Sequence, residues 1–129
     1  MLETNVDGRT YHVFLVRSPY GLKIDVYLRV KNGCVFYQGM VEQLRRFGCR
    51  DNEVVSLLPK REAYFINLLL SKGVLKPTKR FSKGTDIRQP IYRINLVKAE
   101  EVGLNIYSQN EVLDWQDKQN ELVGRGKCV

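Results

Sequence analysis

Histidine and tryptophan each occur once in this chain of 129 residues, methionine twice and cysteine three times. The lone histidine, His12, sits between apolar neighbours, so a packed or edge-exposed ring is expected rather than a general base. Cys34, Cys49 and Cys128 are an odd set at wide spacings, which argues against a disulfide framework and a C-x-x-C zinc pattern. Reduced thiols in a cytoplasmic protein are the expectation, two packed inside and Cys128 exposed in a tail. No apolar run approaches the ~20 residues needed to cross a bilayer. Met1-Leu2-Glu3-Thr4-Asn5 has neither a basic nor an apolar stretch, so no signal peptide is expected there. No phosphate-cradling G-x-x-x-x-G-K-[ST] occurs, because Lys83-Gly84-Thr85 lacks the upstream glycine. With no metal-ligand or nucleophile–base pattern either, no cofactor and no metal are expected, and enzyme is the least favoured class.

Positive charge is abundant but unevenly spread. The formal net charge is +7. Residues 44–93 hold twelve Lys/Arg against four Asp/Glu, whereas residues 94–129 hold four against six. All of the excess therefore comes from the middle of the chain, a distribution that suits a polyanionic partner better than a uniformly solvated basic surface does.

Periodicity divides the chain into an α+β domain over 1–123, with a loose tail at 124–129. Residues 10–17, 22–31 and 34–38 predict a three-stranded antiparallel meander over 1–38. Ser18-Pro19-Tyr20-Gly21 suits the first turn, and Asn32-Gly33 is the type I′ pair for the second. In 22–31, Leu22, Ile24, Val26, Leu28 and Val30 point one way, while Lys23, Asp25, Tyr27, Arg29 and Lys31 form an expected wet face. Val41, Leu44 and Phe47 then predict a short helix stopped by Gly48. Residues 49–58 fit either a helical turn or a buried connector. Residues 59–72 predict a helix with Ala63, Ile66, Leu69 and Leu70 inward and Gly73 as its cap. A short strand at Val74-Leu75, a basic loop over 76–90 and a strand over 91–97 follow. Residues 98–107 give no clear pattern, and Ser108 with Glu111 forms a capping box opening a helix over 108–123.

Residues 40–97 thus read helix, connector, helix, strand, basic loop, strand. Val41 to Gly48, Tyr64 to Val74, the 76–90 loop and Ile91-Tyr92-Arg93-Ile94 together resemble the winged-helix superfamily. The resemblance implies a recognition helix at 59–72, a wing at 76–90 and a nucleic-acid ligand, with DNA favoured over RNA. Beside it stands the chemistry of the residues. Lys60, Tyr64, Asn67 and Ser71 fall on one helical stripe with Arg61 at its flank. Lys76, Lys79, Arg80, Lys83 and Arg88 crowd the following loop. Cations, amides and hydroxyls are what phosphates and base edges require. Phe81, set among these cations, is a candidate to stack on an unpaired base, or else packs back onto the domain.

The leading expectation is a small non-enzymatic DNA-binding regulator. The alternative is a protein-interaction module, such as a virus-encoded inhibitor in the host cytoplasm that docks on a nucleic-acid-processing protein. The acidic stripe Glu111, Asp114, Asp117 and Glu121 of the last helix could dock on the basic segment or on such a partner.

Overall fold

A computed structural model describes residues 1–19, 21–42, 47–56, 59–84 and 88–127, with side chains omitted at 38–42, 59–62 and 122–127. Four strands form an antiparallel meander: β1 (Leu2–Val6), β2 (Arg9–Ser18), β3 (Gly21–Val30) and β4 (Gly33–Glu42). The sequence predicted three strands. The additional one, β1, is turned back onto β2 by Asp7 and Gly8, at φ 51° and 79°, values that the Asp-Gly pair tolerates.

The next hairpin closes one residue earlier than expected. Val30 pairs with Gly33, so Lys31-Asn32 is the loop. Asn32 is not among the positive-φ residues, and that conformation falls on Gly33, at φ 127°. Two register shifts against β3 make β4 irregular in its second half.

The expected helix after Gly39 is corrected in part. Val41 and Glu42 belong to β4, where Glu42 pairs with both Lys23 and Val55; residues 43–46 lie outside the described set. Pairing across the sheet has overridden a helical spacing of apolar residues that was only two turns long. The ambiguous connector contributes a strand, β5 (Glu53–Val55).

Helix α1 (Pro59–Ser71) forms as the sequence predicts. Its end is a Schellman cap: Val74 N donates to Leu69 O at 2.9 Å and Gly73 N to Leu70 O at 3.1 Å, with Gly73 at φ 75°. The inward stripe differs by one residue, because Phe65 is buried with Ile66 and Leu69 whereas Ala63 is exposed. The larger ring covers more apolar surface on the same side of the helix.

Strands β6 (Leu75–Phe81) and β7 (Pro90–Ile94) form an antiparallel pair, and β7 also pairs with β5. The strand expected to run to Val97 stops at Ile94, because Asn95 Oδ1 accepts from Lys98 N at 3.1 Å and caps helix α2 (Leu96–Glu101). A short strand, β8 (Ile106–Ser108), runs parallel to β2 beyond the end of β1. Helix α3 (Gln109–Lys127) opens on the capping box, with Ser108 N donating to Glu111 Oε1 and Glu111 N to Ser108 Oγ. It runs through Gly124 and Gly126, where a loose tail was expected. Glycine weakens a helix by about 1 kcal/mol without stopping it. Cys128 and Val129 lie outside the described residues.

The sheet order is β1-β2-β3-β4-β5-β7-β6, which leaves β6 at one edge. Helix α1 covers one face through Phe65, Ile66 and Leu69, packed with Val13, Leu15, Ile24, Val26, Val54, Leu75 and Ile94. Helix α3 covers the other face of β2 and β3, seating Val112 and Trp115 on Phe14, Val16 and Tyr27. The wet face expected for β3 is therefore overturned at Asp25 and Tyr27, each 2% exposed, and holds at Arg29 and Lys31, which are exposed. Asp25 is met there by Lys23 at 3.1 Å.

Two amides of α3 bind the start of β4. Gln116 Nε2 donates to Cys34 O at 3.1 Å, and Cys34 N donates to Asn120 Oδ1 at 2.9 Å. A Cβ on Gly33 would overlap the Asn120 side chain and lie 3.0 Å from Asn120 Cα. Gly33→Ala should therefore lower stability by roughly 2–4 kcal/mol in urea unfolding. Gly8→Ala, with nothing within 4 Å of its added methyl, should cost only about 1–2 kcal/mol for its backbone conformation.

Candidate nucleic-acid interface

The basic segment folds as a hairpin with an irregular outer strand. Lys76 pairs with Arg93 and Pro77 with Tyr92, but the next pair is Phe81 with Pro90, so residues 78–80 of β6 face a single residue of β7. Thr78 organises the bulge: its Oγ1 donates to Ile91 O at 2.8 Å and accepts from Arg80 N at 3.1 Å. Lys79 sits in it at φ 64° and is exposed. Beyond Phe81, Ser82 N donates to Gln89 O and Gln89 N to Ser82 Oγ, which carries the pairing toward the tip. Pro77 is acceptable here because β6 is an edge strand.

One buried carboxylate fixes this hairpin to the sheet. Glu53 is 1% exposed, and its Oε1 accepts from Arg50 N at 2.8 Å and from Arg80 Nη2. Arg93 Nη2 lies 3.6 Å from Oε2, and Arg80 Nη1 donates to Gly48 O at 3.2 Å. Burial pushes the Glu53 carboxyl up. The Arg80 hydrogen bond, the Arg50 N–H and the charges of Arg80 and Arg93 outweigh that and hold it below the usual carboxylate range. Sequence reasoning missed both Glu53 and Arg93. Arg93 was legible as the polar residue between Tyr92 and Ile94, but Glu53 lies 27 residues from Arg80, beyond any local pattern.

Cross-strand partners share a face of the sheet. Lys76, Arg93 and Glu53 form one such row across β6, β7 and β5. Val54, Ile94 and Leu75 belong to the core packed under α1, so the Lys76–Arg93 row lies on the face away from α1. Arg80 joins it through Glu53. The stem of Lys83 also lies on that side, near Gly48 and Ile91: its Cγ would be 3.7 Å, and Ile91 Cδ1 3.8 Å, from a Cβ on Gly48. Lys76, Lys83 and Arg93 are exposed.

The remaining expected residues point elsewhere. Tyr64, Asn67 and Ser71 are exposed on α1, as predicted, but on the opposite side of the sheet from Lys76 and Arg93. Lys60 and Arg61 occupy the first turn of α1, and their side chains are outside the described set. Phe81 is 45% exposed on the strand position next to Arg80, with the Arg88 guanidinium 5.2 Å from its ring centre. The expected single basic surface is therefore two: Lys76, Arg80, Lys83 and Arg93 on one face, and the α1 stripe on the other side.

The acidic stripe of α3 packs with its helix over the meander. Among the described residues, no ion pair joins Glu111, Asp114 or Asp117 to the hairpin. Cys34 and Cys49 are buried and, among the described residues, in no disulfide. His12 is buried against Trp115, with Arg29 Nη2 at 3.2 Å from Nε2. No protein-family model, curated protein or solved structure matches the chain.

Replacing Glu53 tests the anchor. Its folded pKa lies below the unfolded value of about 4.3, so its contribution is present above that pH and is lost as pH falls through the folded value. Glu53→Gln, which keeps the shape but loses the charge-assisted hydrogen bonds, should cost roughly 1.5–3 kcal/mol at neutral pH. In paired urea titrations the gap between variant and wild type should close on acidification below about pH 4.

Proposed function

We propose that this protein is a non-enzymatic nucleic-acid binder, a small DNA-binding regulator whose β6–β7 hairpin lies against the sugar-phosphate backbone. The observation that carries this reading is the direct pairing of Lys76 with Arg93 on adjacent strands. Like charges opposed across a sheet are destabilising on their own. The carboxylate beside them, Glu53, already takes Arg80 and shares Arg93. An anion lying across the row relieves the repulsion, and Lys83 on the same face extends the path along which successive phosphates would sit. The winged-helix likeness is proposed for the unit β5–α1–β6–β7, in which the hairpin rather than the helix supplies most of the described positive charge.

A second reading, docking on a protein of nucleic-acid metabolism, is favoured by exposed apolar residues on both faces of β4, Tyr37 on the α1 side and Phe36 on the α3 side.

Fluorescence-anisotropy titrations of labelled DNA across a salt series separate the two. Three phosphate contacts predict a slope of log K against log salt near −3. Lys76→Ala with Lys83→Ala should reduce that slope by about 2 and raise thermal stability slightly, because the Lys76–Arg93 repulsion is removed. Absence of binding to DNA and RNA at low salt contradicts the nucleic-acid reading.

A further inference from the structure

We infer that the preferred ligand carries unpaired bases, and that Phe81 backed by Arg88 is the platform on which one of them stacks. This rests on the nucleic-acid reading above and narrows it to single-stranded ligands.

The first observation is the state of Phe81. A large ring on an edge strand is 45% exposed, although the sheet next to it holds a packed core. The guanidinium of Arg88 lies 5.2 Å from its centre. That contact steadies the ring by a cation–π attraction without burying it. A steadied, exposed π surface beside cations is what an unpaired base requires, because every base has a π face of its own and stacking is indifferent to sequence. Inside a duplex those faces are already covered by neighbouring base pairs.

The second observation is the placement of the charges. Lys76, Lys83 and Arg93 lie on the face away from α1, whereas Phe81 pairs with Pro90 in the alternate row and so projects from the other side of the hairpin. The path from the cation row to the ring crosses the outer edge of β6, which has no neighbouring strand among the described residues. Lys79, exposed in the bulge of that edge strand, lies on this path. A duplex is stiff over about 50 nm and meets one face. A single strand bends at each nucleotide, so its phosphates can follow the cations while a base turns over the edge onto Phe81.

The test is anisotropy with a labelled oligodeoxynucleotide, single-stranded and annealed as a blunt duplex, at matched salt. The inference expects tighter binding of the single strand. Phe81→Leu keeps the bulk and removes the π face. It should weaken single-strand binding about five- to 150-fold, by the ~1–3 kcal/mol a stacked base contributes, and leave duplex binding unchanged. Phe81→Trp should retain the affinity, and its added emission should be quenched by the single strand after subtraction of the Trp115 signal measured in wild type. Equal affinity for both forms with a neutral Phe81→Leu overturns the stacking inference while leaving the backbone-binding reading in place. Loss of binding to both forms in the wild type overturns the reading itself. Since Phe81 is exposed, unchanged melting temperatures separate a binding defect from a folding defect.

Discussion

The second half of the sheet depends on one buried charge. Glu53 lies on a three-residue strand that, among the described residues, pairs with the meander through Val55–Glu42. Without compensation a buried carboxylate destabilises the fold by several kcal/mol. Here it is compensated from both strands of the hairpin, by Arg80 of β6 and Arg93 of β7, and from its own loop by the Arg50 N–H. The interaction holds β6, β7 and the Gly48 loop in one arrangement. It also sets which way the neighbouring cations face, because Arg93 is fixed on the side of Glu53 and Lys76 follows by pairing.

The first half of the sheet is closed by apolar packing on both faces. Helix α1 shields one side of β2 and β3 and α3 the other, so Tyr11 through Val16 are all buried. Trp115 is the centre of the α3 side, with ring centroids 4.8 Å from Phe14, 5.1 Å from His12 and 5.9 Å from Tyr27. This division of labour leaves the basic hairpin at an edge and the acidic residues of α3 over the meander. Both lie on the side of the sheet away from α1, the acidic helix over β2–β4 and the basic row at the β6 edge, separated by the width of β5 and β7.

Local chemistry made much of this legible in the sequence. The Gly73 cap, the Ser108–Glu111 box and the apolar stripe of α1 are written within a few residues of where they act. Asp7-Gly8 forms the two-residue positive-φ turn that the sequence reading placed at Asn32-Gly33, and reading it there would have added β1. Non-local pairing was not legible. The burial of Asp25 and Tyr27 depends on α3, more than eighty residues away in the chain. The sequence reading placed Lys76 in a basic loop and passed over Arg93, and only the pairing of β7 with both β5 and β6 puts the two on the face opposite α1. Of the predicted site residues, Lys76, Arg80 and Lys83 fall on one face of the hairpin beside Arg93 and Glu53, and the α1 stripe falls on the other side of the sheet.

The central claim is that the β6–β7 hairpin is where an anionic strand lies. The most direct measurement is a map of backbone amide shifts as a short single-stranded oligonucleotide is titrated into labelled protein at low salt. The account predicts perturbations concentrated at 76–83 and 88–93, with α3 silent. Shifts confined to α3 or to β4, or none at any concentration, would contradict it.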